Sequence, residues 1–232
     1  TLMKISIIIP CFNEEKTLSK IVDKVLKFKS HEKEIIIVDD CSEDNTPQII
    51  NDLVSKFNEI KSIKHEKNYG KGAGIKSGVK MSTGDIILIQ DADLEYNPED
   101  YDSLLEPFLK TDADVVYGSR FLGGKYVRLS FFWHYVANKI LTTLCNTFTN
   151  LNMTDMETGY KLFKSKAIKS IDLKEKSFGI EPEITVKLAK KKYNFYEVPI
   201  SYSGRSYEEG KKIGLKDAFK AIYCIIRYRF FN

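Results

Sequence analysis

Residues 84–95 read GDIILIQDADLE. The apolar core of this stretch is short, follows a glycine and stops abruptly at acids, which is the pattern of a strand buried on both faces. At its end stand Asp91 and Asp93, one residue apart, with Glu95 two further on. Alternate residues of an extended chain point the same way, so both aspartates, and Glu95 with them, can reach one point. Like charges at that spacing repel, and a cation or a proton must settle them.

Four more runs share the pattern: KISIIIP at 4–10, EIIIVDD at 34–40, IKSIKHE at 60–66 and ADVVYGS at 113–119. Helical periodicity fills the intervals at about 14–29, 46–58, 71–82 and 98–110. The near-continuous Ile/Val runs and the strict β-α alternation predict a doubly wound α/β unit with a mostly parallel sheet. Two helix starts carry proline in the first turn, at Thr46-Pro47 after Asp44 and at Asn97-Pro98-Glu99. The second half predicts a helix over 130–149, a strand at GYKLFKS, a helix over 180–192 and a strand at EVPISY. The final GLKDAFKAIYCIIRYRFF is amphipathic, with Leu215, Ala218, Phe219, Ile222 and Ile226 on one helical stripe. No linker or repeat divides the chain. The expected organisation is a catalytic unit over 1–204, with 205–232 adding a basic flap and an amphipathic helix to the same domain.

The 232 residues suffice for a sizeable core, and 43% hydrophobic with 29% charged residues is ordinary for a globular chain. No apolar run approaches the roughly 20 residues a membrane span needs, and the start has no signal-peptide pattern. Cys11, Cys41, Cys145 and Cys224 are scattered with no CxxC pair, which points to reduced thiols and a cytoplasmic protein. The net charge of +4 resides in residues 205–232, where seven Lys/Arg face three Asp/Glu. Such an end suits an anionic membrane surface, a phosphorylated ligand or a solvated helix face. No nucleic-acid partner is expected.

Open parallel sheets place ligands at strand C-termini. Four runs here end in polar clusters: Pro10-Cys11-Phe12-Asn13-Glu14-Glu15, Asp39-Asp40-Cys41-Ser42, Asp91-Ala92-Asp93 and Gly118-Ser119-Arg120. Asp91, Asp93 and Glu95 suit a hard divalent cation, Mg²⁺ or Mn²⁺, completed by waters and substrate phosphates. Such an ion would neutralise a diphosphate leaving group. A helix cap needs only one side-chain acceptor, and Asn97 supplies that. Of Asp39 and Asp40, one is expected to meet a nucleoside and the other to hold the turn. The glycine-rich Asn68-Tyr69-Gly70-Lys71-Gly72-Ala73-Gly74 opens a helix and suits either phosphate approach or close packing. It matches neither GxGxxG nor GxxxxGK[ST], which argues against a dinucleotide or P-loop site.

Taken in order, IIIPCFNEE, VDDCSEDNT, NYGKGAGIKSG, QDADLE, GSRF, DMETGYKLF and GRSYEEGKKIGLKD resemble the family 2 glycosyltransferases of GT-A fold. Within them the set is most similar to the polyprenyl-phosphate hexosyltransferases of the dolichyl-phosphate mannose synthase type. The resemblance implies an inverting, metal-dependent transfer from a UDP- or GDP-linked sugar. It places Pro10, Asn13, Glu15 and Asp39 at the nucleoside, with Lys71, Gly72 and Asp91 beside it. Asp91 and Asp93 match the metal motif, and Glu95 stands where relatives often carry Gln. Arg120 matches a basic residue near donor or acceptor phosphate, and Arg205 and Lys211 match a phosphate-linked motif on an active-site flap. The QxxRW of processive synthases is absent, since the only tryptophan, Trp133, lies in FFWHY. A single transfer is therefore expected.

A lipid-phosphate acceptor is already anionic and needs cations to hold it, for which Arg120, Arg128, Lys161 and Arg205 are the candidates. A hydroxyl acceptor, as on a growing glycan, needs a base, and Asp155 or Glu157 is the place to look. A nucleotide-sugar-binding protein without turnover is the third alternative. The residues expected at the chemistry are Asp93, Arg120 and Asp155. His134 lies among Phe131, Phe132, Trp133 and Tyr135 and reads as packed. This aromatic stretch and the last helix face either a membrane, with peripheral contact at its cytoplasmic side, or the sheet or a homodimer partner.

Overall fold

A computed structural model of the chain describes residues 3–128, 131–205 and 215–231. Its centre is a seven-stranded sheet in the order β3-β2-β1-β4-β6-β5-β7. The strands are β1 (Lys4–Cys11), β2 (Glu32–Asp39), β3 (Ile60–Lys64), β4 (Ile86–Ile89), β5 (Val115–Ser119), β6 (Lys161–Lys164) and β7 (Phe195–Pro199). β1 pairs in parallel with β2 from Lys4↔Glu32 to Cys11↔Asp39, and with β4 from Ile5↔Ile86 to Ile8↔Ile89. All pairs are parallel except those of β6, which runs antiparallel between β4 and β5.

Successive residues of β1 go to opposite sides, which is why it reads as a nearly continuous run of isoleucine. Ile5, Ile7 and Ile9 join the core beneath α1 (Leu18–Lys27), α2 (Thr46–Lys56) and α4 (Tyr101–Lys110). Ile8 joins the opposite core, built by α3 (Lys71–Met81), α5 (Phe132–Thr149), α6 (Ser165–Lys169), α7 (Ile180–Lys190) and α8 (Leu215–Phe230). α1 starts four residues later than its periodicity suggests. Residues 13–15 are held by β2's exit loop instead, with the Asn13 N–H on Ser42 Oγ (3.0 Å) and the Glu14 N–H on Thr46 Oγ1 (2.9 Å). α2 begins at Thr46 with Pro47 in its first turn, and the Asn97 side chain accepts from the Glu99 N–H. α5 stops at Asn150, whose φ of 58° is the left-handed cap conformation asparagine tolerates.

The last helix forms, and its expected stripe divides, with Ala218 and Ile222 packed against the core and Phe219 and Ile226 facing outward. Ala221, Cys224, Ile225 and Tyr228 are buried. Tyr228 sets the rotation: its hydroxyl donates to Glu175 Oε1 at 2.8 Å while its ring lies under Lys187 of α7. α8 therefore carries two apolar stripes, one packed on α5 and α7 and one facing outward.

Candidate active site

A cleft of about 770 Å³ lies at the carboxyl ends of β1, β2, β4 and β5. Pro10, Asp91, Asp93, Arg120, Glu181 and Arg205 are among its lining residues. The exit of β4 is fixed from beneath. Gln90 is wholly buried, accepts the hydroxyls of Tyr101 and Tyr160 at 2.7 Å each, and donates to the Asp91 carbonyl at 3.0 Å. Leu94 then turns the chain with a φ of 65°, a left-handed conformation uncommon for a bulky residue. A Cβ on Gly159 would fall 2.4 Å from Asp91 Oδ2, so that position must be glycine for the segment before β6 to pass the carboxylate.

Each acid of QDADLE has a cationic partner. Lys71 Nζ sits 2.8 Å from Asp91 Oδ1 and 3.3 Å from Glu181 Oε1. Burial works against the Lys71 charge, but these two carboxylates outweigh it and push its pKa above the ordinary lysine range. Arg205 Nη2 sits 2.6 Å from Asp93 Oδ2. Burial, and then the charges of Asp91 and Glu95, raise the Asp93 carboxyl to about 7 against the pull of Arg205.

This charge balance tests the metal expectation. Among the described residues no three acids gather about one point. Asp91 and Asp93 do both line the cleft, and Asp93 is short of positive charge even with Arg205 beside it. Two carboxylates fit Mg²⁺ or Mn²⁺, which take few protein ligands and fill their shell with waters and phosphate oxygens. Glu95 does not complete a triad. Its Oε1 accepts the Arg205 N–H at 2.7 Å and its Oε2 the Tyr202 hydroxyl at 2.8 Å, so in this arrangement it positions the chain at 202–205.

Arg120 faces the cleft from the end of β5. Its Nε and Nη2 each donate to Asp155 at 2.7 Å, and its own N–H adds a third bond at 3.1 Å. Burial alone would raise the Asp155 carboxyl, but the Arg120 guanidinium overrides it and holds it below the usual range. Asn138 of α5 gives Asp155 a further bond at 3.1 Å. Asp155 is fully buried and saturated, so it orients Arg120 and is not placed to take a substrate proton. Glu157 lines the cleft, and burial, with Glu181 next, raises it to about 8.

The other expected residues divide. Asp39 is buried outside the cleft lining, with Oδ1 on the Ser42 N–H (2.9 Å) and Oδ2 without a partner. Asp40 instead holds the turn, accepting the Tyr69 and Gly70 N–H groups and bonding His65 Nδ1 at 2.7 Å. Pro10 lines the cleft. Asn13 and Glu15 accept from the Glu43 and Asn45 N–H groups and tie two strand-end loops together. Gly72 does not face phosphate: a Cβ there would lie 2.4 Å from the Glu175 carbonyl oxygen, so the glycine serves close packing. Lys161 is a correction. It is 1% exposed, donates to the Met156 and Thr158 carbonyls and lies 4.4 Å from the Tyr117 ring centre, beyond reach of an acceptor phosphate. Arg128 is exposed, outside the cleft lining, and its N–H donates to the Tyr202 carbonyl. Lys211, with most of GRSYEEGKK, lies outside the described residues.

Several cleft residues escaped the sequence reading. His134 packs on Phe131, with ring centres 5.6 Å apart, yet it also lines the cleft one turn from Asn138. Glu181, in GIEPEI, carried only a helix-start signal beside Pro182, and Gly159 carried none beyond its glycine.

An α/β sheet with an acidic strand end set among cations is the arrangement of a GT-A glycosyltransferase, and the solved structures it resembles agree on the fold. Glucosyl-3-phosphoglycerate synthase from Mycobacterium tuberculosis, crystallised with Mn²⁺, UDP and glucosyl-3-phosphoglycerate, matches with a TM-score of 0.75 at 17% identity, over 99% of this chain and 81% of that one. A complex of the same enzyme with Mg²⁺ and UDP gives 0.73. Residues 6–172 match glycosyl transferase family 2, and the chain belongs to that family. It is 30% identical over 231 residues to a dolichol-phosphate mannosyltransferase of Pyrococcus furiosus, covering 97% of this chain but 63% of that protein. It is 29% identical over 240 residues to a UDP-N-acetylglucosamine–dolichyl-phosphate N-acetylglucosaminyltransferase of Methanococcus voltae, covering 96% of this chain and 94% of that protein. A dolichyl-phosphate beta-glucosyltransferase of Trichomonas vaginalis is 27% identical over 98% of this chain and 73% of its own length.

Proposed function

We propose that this glycosyltransferase moves one hexosyl group, with inversion, from a UDP- or GDP-linked sugar to a polyprenyl phosphate. The observation that carries the choice of acceptor is the state of the two base candidates. Asp155 is saturated by Arg120 and Asn138, and burial together with the Glu181 charge pushes Glu157 towards its protonated form. A hydroxyl nucleophile would find no ready base in either, whereas a phosphate monoester is anionic already and needs none. Arg120 meets that need, since Asp155 fixes its guanidinium as a preorganised donor at the cleft wall. The three named relatives all act on dolichyl phosphate, which supports the same reading.

In this reading Asp91 and Asp93 hold Mg²⁺ or Mn²⁺. Once bound, the ion supplies charge neutralisation for the departing diphosphate. Lys71 holds Asp91 in place through an ion pair, and Arg205 does the same for Asp93. The aromatic residues 131–135 at the cleft mouth receive the first units of the lipid, with the enzyme resting peripherally on the membrane that presents it.

The test is incubation with labelled UDP-glucose, UDP-N-acetylglucosamine and GDP-mannose, Mn²⁺ or Mg²⁺, and either polyprenyl phosphate or a saccharide. A lipid-soluble labelled product is expected with one donor. Labelled saccharide with no labelled lipid would overturn the acceptor assignment.

A further inference from the structure

The cleft lining carries two more carboxyl groups that no step above uses, those of Glu157 and Glu181. Glu181, 6% exposed, opens α7 and gives Oε1 to Lys71, while its Oε2 is buried with no hydrogen-bond partner. Glu157, on the loop before β6, likewise has a buried Oε1 without a partner. Both line the cleft, and the two carboxyls act on each other electrostatically. Buried carboxylate oxygens are costly to leave unpaired, so their persistence at a ligand-lined surface calls for donors brought by the ligand. Lys71 joins them to the reaction centre, since it spans Asp91 and Glu181. Lys161 lies behind the pair with its ammonium given to backbone carbonyls, which tempers the negative field without filling the open oxygens.

We propose that Glu157 and Glu181 form the hexosyl-binding floor of the cleft, each open oxygen accepting a hydrogen bond from a sugar hydroxyl, and that this floor selects uncharged hexosyl donors over hexuronosyl ones. The proposal rests on the donor reading above and deepens it. Hydroxyls both donate and accept, so they suit the unpartnered Glu181 oxygen and the Glu157 carboxyl alike. A carboxylate on the ring brings no donor to these oxygens and sets a like charge beside Glu181. The selection is thus partly repulsive, as specificity commonly is.

The pair is a specificity element, so binding separates it from a merely structural role. Titration calorimetry with Mn²⁺ would compare UDP, GDP, the cognate nucleotide-hexose and the corresponding nucleotide-hexuronate on wild type, Glu157→Gln and Glu181→Gln. The expected result is an unchanged Kd for the free nucleoside diphosphate. The nucleotide-hexose should bind about tenfold more weakly to each variant, about the loss of one hydrogen bond. Discrimination against the hexuronate should shrink in Glu181→Gln. Variants that keep the full wild-type preference for hexose over bare diphosphate overturn the proposal, as do variants that lose both ligands in parallel. Wild type that binds neither UDP nor GDP would overturn the donor reading itself, and this proposal with it.

Discussion

Asp155 has no freedom left: Arg120 takes both oxygens, Asn138 adds a bond, and water does not reach it. Asp155→Asn leaves the Arg120 guanidinium buried with half its partner gone, and breaking a buried pair from one side costs about 3–5 kcal/mol. Denaturant unfolding should show a lower midpoint with an unchanged slope, and transfer should fall because Arg120 loses its orientation. Glu157 makes the opposite pH prediction. Its folded-state pKa of about 8 stands above the ordinary 4.5, so between those values the folded chain holds a proton that the unfolded chain releases. Its stabilising contribution is complete below about pH 4.5 and is lost as pH rises towards 8. The thermal midpoint of Glu157→Gln should therefore decline less than that of wild type between pH 5 and 8. Parallel curves would mean Glu157 is ionised throughout.

At the scale of elements, α3 is held by its glycines more than by its sequence periodicity. A Cβ on Gly72 would stand 2.4 Å from the Glu175 carbonyl oxygen, and the Ala73 N–H bonds the Lys176 carbonyl at 3.1 Å. Backbone cannot yield as a side chain can, so Gly72→Ala should destabilise by about 1–3 kcal/mol, as overpacking does. It should also shift Lys71, seen as weaker nucleotide-sugar binding in the variant that still folds. The central strands β1, β2, β4 and β5 were legible because each is buried on both faces, and EIIIVDD or DIILIQ has no other stable use. The strand-end aspartates were legible for the same reason, since sheet geometry alone brings Asp39, Asp91 and Asp93 to one edge. What sequence hid depends on packing at a distance. Lys161 looks like any phosphate-binding lysine until the Met156 and Thr158 carbonyls are found to capture it. Glu95 looks like a third ligand until Tyr202 and Arg205, more than 100 residues away, occupy it. The facing of α8 was not legible because it has two apolar stripes, and the one seen in the sequence is shared between the core (Ala218, Ile222) and the surface (Phe219, Ile226).

The outward stripe of α8 gives the whole molecule a polarity of its own. Phe219 (71% exposed), Tyr223 and Phe230 run along α8, and Phe132 and Trp133 (75%) stand at the start of α5, against which α8 packs. Exposed aromatics gathered over two adjoining helices exceed what isolated surface residues explain. Lys139, Arg227 and Arg229 lie on the same two helices, and an apolar stripe with basic neighbours suits an anionic lipid surface. Among the described residues no helix is long and apolar enough to cross a membrane, so contact through these helices would rest on the surface. The cleft mouth opens beside Phe131 and Trp133, which would bring the active site to the level where a polyprenyl phosphate headgroup sits. The protein should sediment with vesicles containing phosphatidylglycerol, more weakly as salt rises. The double variant Phe132→Ser/Trp133→Ser should bind at least about tenfold less, in line with removing two large apolar side chains from an interface. Because both rings are exposed, its unfolding midpoint should not move. Wild type that ignores vesicles and sediments as a dimer would assign this face to a second copy of the chain instead, with the lipid reaching the cleft from solution.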